Sequence, residues 1–223
     1  MEIALLWPRT GSRGKTSRED ADPEAQLIER LLRRDEHAFM DLYDRHRRSV
    51  YRFLLHMTGS TSTAEDLTQG VFVAMLDAIS SSATGQFDPR KGTLEGYLLG
   101  IARNLARRER RKAQRLVPLE TMIENAEWTR VLPQTFPDGP YDTESLLTLQ
   151  ADLKLLYRAI LGLPHPYRET IALCALQEKS YQQAALILEC SEGTIASRMN
   201  RARALLAAKL RRTKPAEVNA SAS

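Results

Sequence analysis

The chain of 223 residues holds two cysteines, four histidines and only 6% aromatic residues, and no stretch of it is apolar for long enough to cross a bilayer. Each scarcity excludes a class of protein. Cys174 and Cys190 form neither a disulfide framework nor a metal-ligand spacing, and read as small buried hydrophobes. His37, His46, His56 and His165 are scattered at surface-like helical positions, where an exposed or partly packed ring is expected. With no metal, nucleophile or catalytic signature, no catalytic residue, metal site or cofactor is expected, and an enzyme is the least favoured class. The apolar run at residues 3–7 is too short for the hydrophobic part of a secretory signal, and Pro8 ends it. Residues 1–22 are therefore expected to be a flexible tail, and the protein cytoplasmic, with no membrane insertion.

Charge is what the chain has in quantity. Charged residues make up 27% of it, yet the formal net charge is only +4. The total matters less than its segregation, because a local basic stripe attracts nucleic acid whatever the sum. Strand alternation is absent. From Pro23 onward apolar residues recur at three- and four-residue steps, which predicts an all-α fold.

A first helix runs to about Arg34 with Leu27, Ile28, Leu31 and Leu32 on its stripe. Asp35 can cap a second, whose stripe is Phe39, Leu42, Tyr43, Val50, Phe53, Leu54 and Met57 and whose stop is Gly59. Ser62 with Glu65 has the form of a capping box opening a third helix to about Ile79, with Leu67, Val71 and Met75 inward. Residues 81–92 are a loop by composition. A fourth helix, from about Thr93 to Gln114, turns strongly basic in its second half, with Arg103, Arg107, Arg108, Arg110, Arg111, Lys112 and Arg115 against the single acid Glu109. Cations beside the aromatic rings of Phe87 and Tyr97 suit a single strand, although alone the pairing is a weak signal.

The most informative stretch is Ser180 to Arg212. Ser180 and Gln183 form a capping box that starts a short helix to about Leu188. Glu189, Cys190 and Ser191 interrupt the pattern. Ser191 can cap a second helix with Ile195, Met199, Ala202, Leu205 and Leu206 on one side. Two helices joined so tightly cross steeply, which is the helix-turn-helix plan for placing the second helix in the DNA major groove. Its outward face carries Thr194, Ser197, Arg198, Asn200, Arg201 and Arg203, chemistry suited to phosphates and base edges. An ordinary solvated basic face is the alternative, which the short capped helix before it disfavours. A helix with a seam of Leu146, Leu149, Leu153, Leu156, Ile160 and Leu163, and another from about Pro166 to Gln177, precede this pair.

Between the two basic units, residues 116–144 hold Pro118, Pro133, Pro137 and Pro140 and six acids against the one base Arg130, a formal charge of −5. Such a linker avoids the duplex and stays extended; a mere solvated tether is the other reading. The domains expected are a tail at 1–22, a first helical unit at 23–115, the acidic linker at 116–144, a second helical unit at 145–212 and a tail at 213–223. Each of the two small units is expected to have its own modest core.

The segments AEDLTQGVF (residues 64–72), GYLLGIARNLARRERRK (residues 96–112) and LPHPYRETIALCALQEKSYQQAALILECSEGTIASRMNRARALL resemble group IV, or extracytoplasmic-function, RNA polymerase sigma factors of the sigma-70 family. The resemblance covers about residues 23–212. It implies promoter-specific transcription initiation with core RNA polymerase, through the β′ coiled coil and the β flap, and an anti-sigma factor as a further partner. It places Asp66, Gln69 and Phe72 in the polymerase-docking segment. It places Phe87, Asp88, Arg90, Lys91, Tyr97, Arg103, Asn104 and Arg107 at the minus-ten element of promoter DNA, and Ser191, Thr194, Ser197, Arg198, Asn200, Arg201 and Arg203 at the minus-thirty-five element. The acidic linker corresponds to a segment threading through the polymerase. Departures from the family pattern are Gly70 for an acid, Tyr97 for tryptophan, Gly100 for a basic residue, Ala196 for a lysine and Glu189 for the turn glycine. A non-glycine residue in the left-handed conformation costs about 1 kcal/mol, so distortion is expected at that turn. A stand-alone helix-turn-helix regulator is the alternative; it explains only the last third of the chain.

Overall fold

The computed structural model describes residues 23–80, 92–116 and 143–213, and within them the backbone forms eight helices and no strand. They are α1 (Pro23–Leu32), α2 (Glu36–Thr58), α3 (Thr61–Ser80), α4 (Leu94–Leu116), α5 (Thr143–Leu161), α6 (His165–Cys174), α7 (Tyr181–Leu188) and α8 (Glu192–Thr213). The tails and nearly all of the acidic linker fall outside the described residues.

Local signals set most of the boundaries. The Asp35 carboxylate accepts the His37 N–H at 2.9 Å and starts α2. Gly59, at φ 72°, ends it in the left-handed conformation with its N–H on the Leu55 carbonyl. The next start differs from expectation: the Ser60 hydroxyl accepts the Thr63 N–H at 3.3 Å, and Ser62 and Glu65 already lie inside the helix. A capping residue needs non-helical backbone, and the turn at Gly59 supplies it at Ser60. The start of α4 is tied to α1, where the Glu24 carboxylate accepts the Leu94 N–H.

Helices α2, α3 and α4 pack as a bundle on Leu42, Val50, Phe53, Leu54, Val71, Met75, Leu94, Leu98 and Leu99, with Leu27 and Leu31 of α1 laid on it. Burying each such side chain contributes about 1.5–3 kcal/mol. Helices α5, α6 and α8 surround a second cluster made of Ile160, Leu163, Ile171, Met199, Ala202 and Leu206. The two units are not independent. Ala172 and Leu173 of α6, Ala184, Ile187 and Leu188 of α7, and Ile195 of α8 belong to the first unit's cluster. The expected pair of separate cores is thus one continuous core with a satellite, because the inner faces of α6 and α7 are apolar on two sides.

Polar groups seal the joint between the units. The His56 ring meets the Tyr157 hydroxyl at 3.2 Å, which in turn donates to the Leu55 carbonyl at 3.1 Å. Lys179 pairs with Glu95 at 2.6 Å, and Gln177 donates to the Ser49 carbonyl at 3.1 Å. Two of the four histidines, His56 and His165, are therefore buried rather than surface-like; His56 meets Tyr157 from a helix 101 positions away, and His165 lies against Glu169 one turn along its own helix.

Candidate nucleic-acid interface

The helix-turn-helix is built by its caps. The Ser180 hydroxyl accepts the Gln183 N–H at 3.1 Å, and the Gln183 side chain accepts the Ser180 N–H at 3.0 Å, the reciprocal bonds of a capping box. Glu189 takes the left-handed conformation at φ 52°, ψ 50°, and the Cys190 N–H reaches the Ala185 carbonyl at 3.0 Å. The expected distortion does not occur: the turn closes with normal helix-end hydrogen bonds, leaving only the conformational cost of a β-carbon. The Ser191 hydroxyl accepts the Thr194 N–H at 3.2 Å and starts α8.

Ile195, Met199, Ala202 and Leu206 face inward from α8, and the opposite side presents Ser197, Asn200 and Arg201 to solvent. Thr194, Ser197, Arg198 and Arg201 line an open cleft with Pro164, Pro166 and Tyr167 at the start of α6. Arg198 is half-buried across the turn, with Nη1 3.8 Å from the Cys190 sulfur. Arg203 is half-buried too. Ser191 and Thr194 join hydroxyls at 2.9 Å, and Ser197 donates to the Thr194 carbonyl at 2.9 Å, which fixes the first turn. That first turn combines oriented N–H groups with a cationic flank, a combination suited to a phosphate.

The other basic helix is arranged differently. Arg103 of α4 is 5% exposed. Its Nε donates to Glu169 Oε1 at 3.2 Å, Nη1 to the Ile187 carbonyl at 3.3 Å and Nη2 to the Leu188 carbonyl at 3.0 Å. Arg107 forks onto the same carboxylate, Nε to Oε1 at 2.9 Å and Nη2 to Oε2 at 3.1 Å. His165 Nδ1 lies 3.4 Å from Oε1. Burial pushes the Glu169 carboxyl up, but hydrogen bonds and charges from His165, Arg107 and Arg103 outweigh it and hold its pKa at about 2. Asn104, Arg108, Arg110, Arg111 and Lys112 remain exposed on α4. Tyr97 is half-buried, its ring lining a small apolar groove with Ile28, Leu31, Leu32 and Met75. Phe87, Asp88, Arg90 and Lys91 fall outside the described residues.

On α3, Asp66 and Gln69 are exposed, whereas Phe72 is buried and meets Tyr43 edge-on at a 4.8 Å centroid distance. The residues continuing the exposed stripe of Asp66 and Gln69 are Val73 and Leu76, two of the few large apolar side chains left in solvent. Steps of three, four and three residues from Asp66 mark them, a signal readable in the sequence and missed there. Among the described residues, no cluster of His, Cys, Asp or Glu can hold a metal ion, and no helix is long and apolar enough to cross a membrane.

A capped helix-turn-helix with a basic outer face, packed against a bundle that carries a second basic helix, is the arrangement of a DNA-binding protein. Residues 42–116 match sigma-70 region 2, and residues 153–206 match sigma-70 region 4. The chain is 32% identical over 162 residues to the RNA polymerase sigma factor EcfG of Rhodopseudomonas palustris, spanning 73% of this chain and 79% of that one. It is 30% identical over 202 residues to SigM of Mycobacterium tuberculosis, covering 90% of this chain and 89% of the relative. Among solved structures it resembles CnrH in complex with the cytosolic domain of CnrY, at a TM-score of 0.60 and 21% identity over 86% of this chain and all of that one. It also resembles the sigma factor RpoE bound to the anti-sigma factor NepR from Bartonella quintana, at a TM-score of 0.52 and 26% identity over 79% and 98% of the two chains. The chain belongs to the extracytoplasmic-function RNA polymerase sigma factors of the sigma-70 family. It binds core RNA polymerase and directs promoter-specific initiation at minus-ten and minus-thirty-five elements.

Proposed function

We propose that the two functions are divided between the helices as follows. The outer face of α8, with Ser191, Thr194, Ser197, Arg198, Asn200, Arg201 and Arg203, reads the minus-thirty-five element. The second half of α4, with Arg103, Asn104 and Arg107, and the ring of Tyr97, engages the minus-ten element together with Phe87, Asp88, Arg90 and Lys91. Asp66 and Gln69, extended by Val73 and Leu76, form the stripe that meets the β′ coiled coil, and Phe72 holds that stripe in place from beneath. The single observation carrying this reading is the capped helix-turn-helix whose second helix turns Ser197, Asn200 and Arg201 to solvent.

Energetics assign strand opening to the polymerase complex. Melting about ten base-pair steps at roughly 1.4 kcal/mol each costs about 14 kcal/mol, and stacking a flipped base on an aromatic ring returns about 1–3 kcal/mol. The chain acts as a specificity subunit and not as a catalyst, it works in the cytoplasm where core polymerase resides, and an anti-sigma factor covers it when it is inactive. The domain limits follow the same division, 23–115 and 145–212 joined by the acidic linker. Run-off transcription with purified core RNA polymerase and sheared genomic DNA tests the reading. New transcripts sharing a spaced pair of upstream motifs support it; a core polymerase that neither binds the chain nor gains start sites overturns it.

A further inference from the structure

Two apolar features of this chain take no part in the promoter and polymerase contacts described above: the run at residues 3–7 and the groove beside Tyr97. Helix α1 supplies Ile28, Leu31 and Leu32 to that groove, α3 supplies Ala78 and Ile79, and α4 closes it with the tyrosine ring. Its free volume is about 70 Å³, far below the roughly 300–1,000 Å³ of a small-molecule pocket. It has the size of a seat for one large side chain. Leu32 stands at its mouth, 55% exposed, although its spacing puts it on the inward stripe of α1. A groove and an exposed leucine that adjoin in this way form one contiguous apolar surface, the kind that another segment covers.

Reach selects the occupant. Residues 3–7 hold the large apolar side chains Ile3, Leu5, Leu6 and Trp7, and residues 8–22 hold none. Those fifteen residues lead directly into α1 at Pro23. Ile28 and Leu32 lie five and nine residues along that helix, about 8–14 Å from its start at 1.5 Å per residue, whereas a fifteen-residue tether reaches up to about 50 Å. A segment tethered so near faces the groove at about millimolar effective concentration, so even a weak intrinsic fit is mostly occupied. The linker also holds apolar residues around Trp128, but it leaves α4 at Leu116, about 28 Å along that helix from Tyr97. Among the side chains of residues 3–7, the indole of Trp7 has the most apolar area to bury.

We propose that residues 3–7 seat in this groove, with Trp7 against Leu32 and the Tyr97 ring, and so fasten α1 to α3 and α4. The helix needs such help. It has only ten residues, too few to be stable without tertiary support. Its support consists of Leu27 and Leu31 on the core, the Arg30 pairs with Asp35 and Asp41, and the bond from the Leu94 N–H to Glu24. The Arg30 pairs are largely exposed and contribute little. A seated Trp7 adds apolar contact on the side that these leave open.

The full chain carrying Trp128→Phe, in which Trp7 is the one tryptophan, tests this by fluorescence. Its emission is expected to be that of a buried indole. Acrylamide is expected to quench it about threefold more steeply once Ala78→Arg is added, because a seated segment is accessible only in its minor, unseated fraction. Ala78 is half-buried, so the arginine obstructs the groove without entering the core. Amide exchange across α1 is expected to quicken about tenfold in Trp7→Ser, with α2 unchanged. Adding Ala78→Arg to Trp7→Ser is expected to change that exchange little further, since both substitutions break one contact. Equal quenching with and without Ala78→Arg, or unchanged exchange of α1 in Trp7→Ser, overturns the proposal. So does protection of Trp7 that fades on dilution, which assigns the groove to a second copy of the chain. Protection of Trp128 in a Trp7→Phe chain, lost with Ala78→Arg, overturns it in favour of the linker.

Discussion

The two basic helices of this protein have similar composition and opposite surroundings. On α8, Asn200 and Arg201 stand in solvent on the side away from the core. On α4, Arg103 and Arg107 are joined to a carboxylate 62 to 66 positions away in the chain. A cluster of arginines therefore states a capacity for anions without stating which anion is present, and within one protein the answers are a buried glutamate and, on our reading, DNA.

The largest expected effect comes from breaking the buried side of this contrast. Arg103→Ala leaves Glu169 short of one partner and strands the Ile187 and Leu188 carbonyls, and removing one member of a buried ion pair costs about 3–5 kcal/mol. Denaturant unfolding of the full chain measures it, and a loss under about 0.5 kcal/mol, the range of ordinary surface changes, would mean that α4 is a surface helix after all. The same contrast recurs along α3. Phe72→Ala is expected to cost about 3–5 kcal/mol of stability, whereas Val73→Ser leaves stability within about 0.5 kcal/mol and weakens capture by immobilised core polymerase.

Acid sharpens the comparison next. Burial, helped by the charge of Arg52, holds the pKa of His56 down at about 4, with the Tyr157 hydroxyl against its ring from the other unit. A depressed histidine pKa stabilises the packed form above the unfolded value of about 6.5, and that stability is lost as pH falls toward 4, by roughly 3 kcal/mol at most. Glu169, held at about 2, keeps its contribution until pH drops below about 4.5, so the two act in different windows. Burial lowers His46 as well, so the slope between pH 6.5 and 4.5 must be compared with that of His56→Gln. Scattering or unfolding against pH should show a flatter slope in that variant, and an identical slope would remove His56 from the account.

On the open side, Arg201→Ala is expected to leave stability unchanged within about 0.5 kcal/mol and to weaken minus-thirty-five recognition by the holoenzyme by about 1–3 kcal/mol. Template competition measures this; equal use of cognate and scrambled upstream elements by the unsubstituted holoenzyme would deny α8 its reading role. The smallest effect concerns the turn between α7 and α8. Glu189→Gly removes a left-handed β-carbon and is expected to stabilise the helix-turn-helix by up to about 1 kcal/mol, because the Glu189 carboxylate it sacrifices is mostly exposed and 3.7 Å from Arg103. A destabilised variant would give that contact real weight.

Local features of this fold were legible in the sequence because their causes are local. The caps at Asp35, Ser180 and Ser191 and the stop at Gly59 each depend on residues within three or four positions, and the outward face of α8 follows from one periodic stripe. Ser60 took the capping position from Ser62 because Gly59 moved the turn by two residues. The joint was not legible. Arg103 with Glu169, His56 with Tyr157 and Arg168 with Met57 are separated by 66, 101 and 111 positions, and nothing in the periodicity of one helix announces the partner on another. The resemblance places Phe72 in the docking segment with Asp66 and Gln69, and its side chain packs beneath their exposed stripe against Tyr43, a direction that only the packed bundle reveals.

The account turns on whether the two basic helices part when the promoter is bound. Spin labels at the exposed positions Arg48 on α2 and Gln182 on α7, in a chain with Cys174 and Cys190 replaced by alanine, report the separation of the two units by electron double resonance. A single short distance in the free chain that lengthens by tens of ångströms in the polymerase–promoter complex is the expected result, since elements roughly 85 Å apart must be reached together. The same short distance in both states would contradict it.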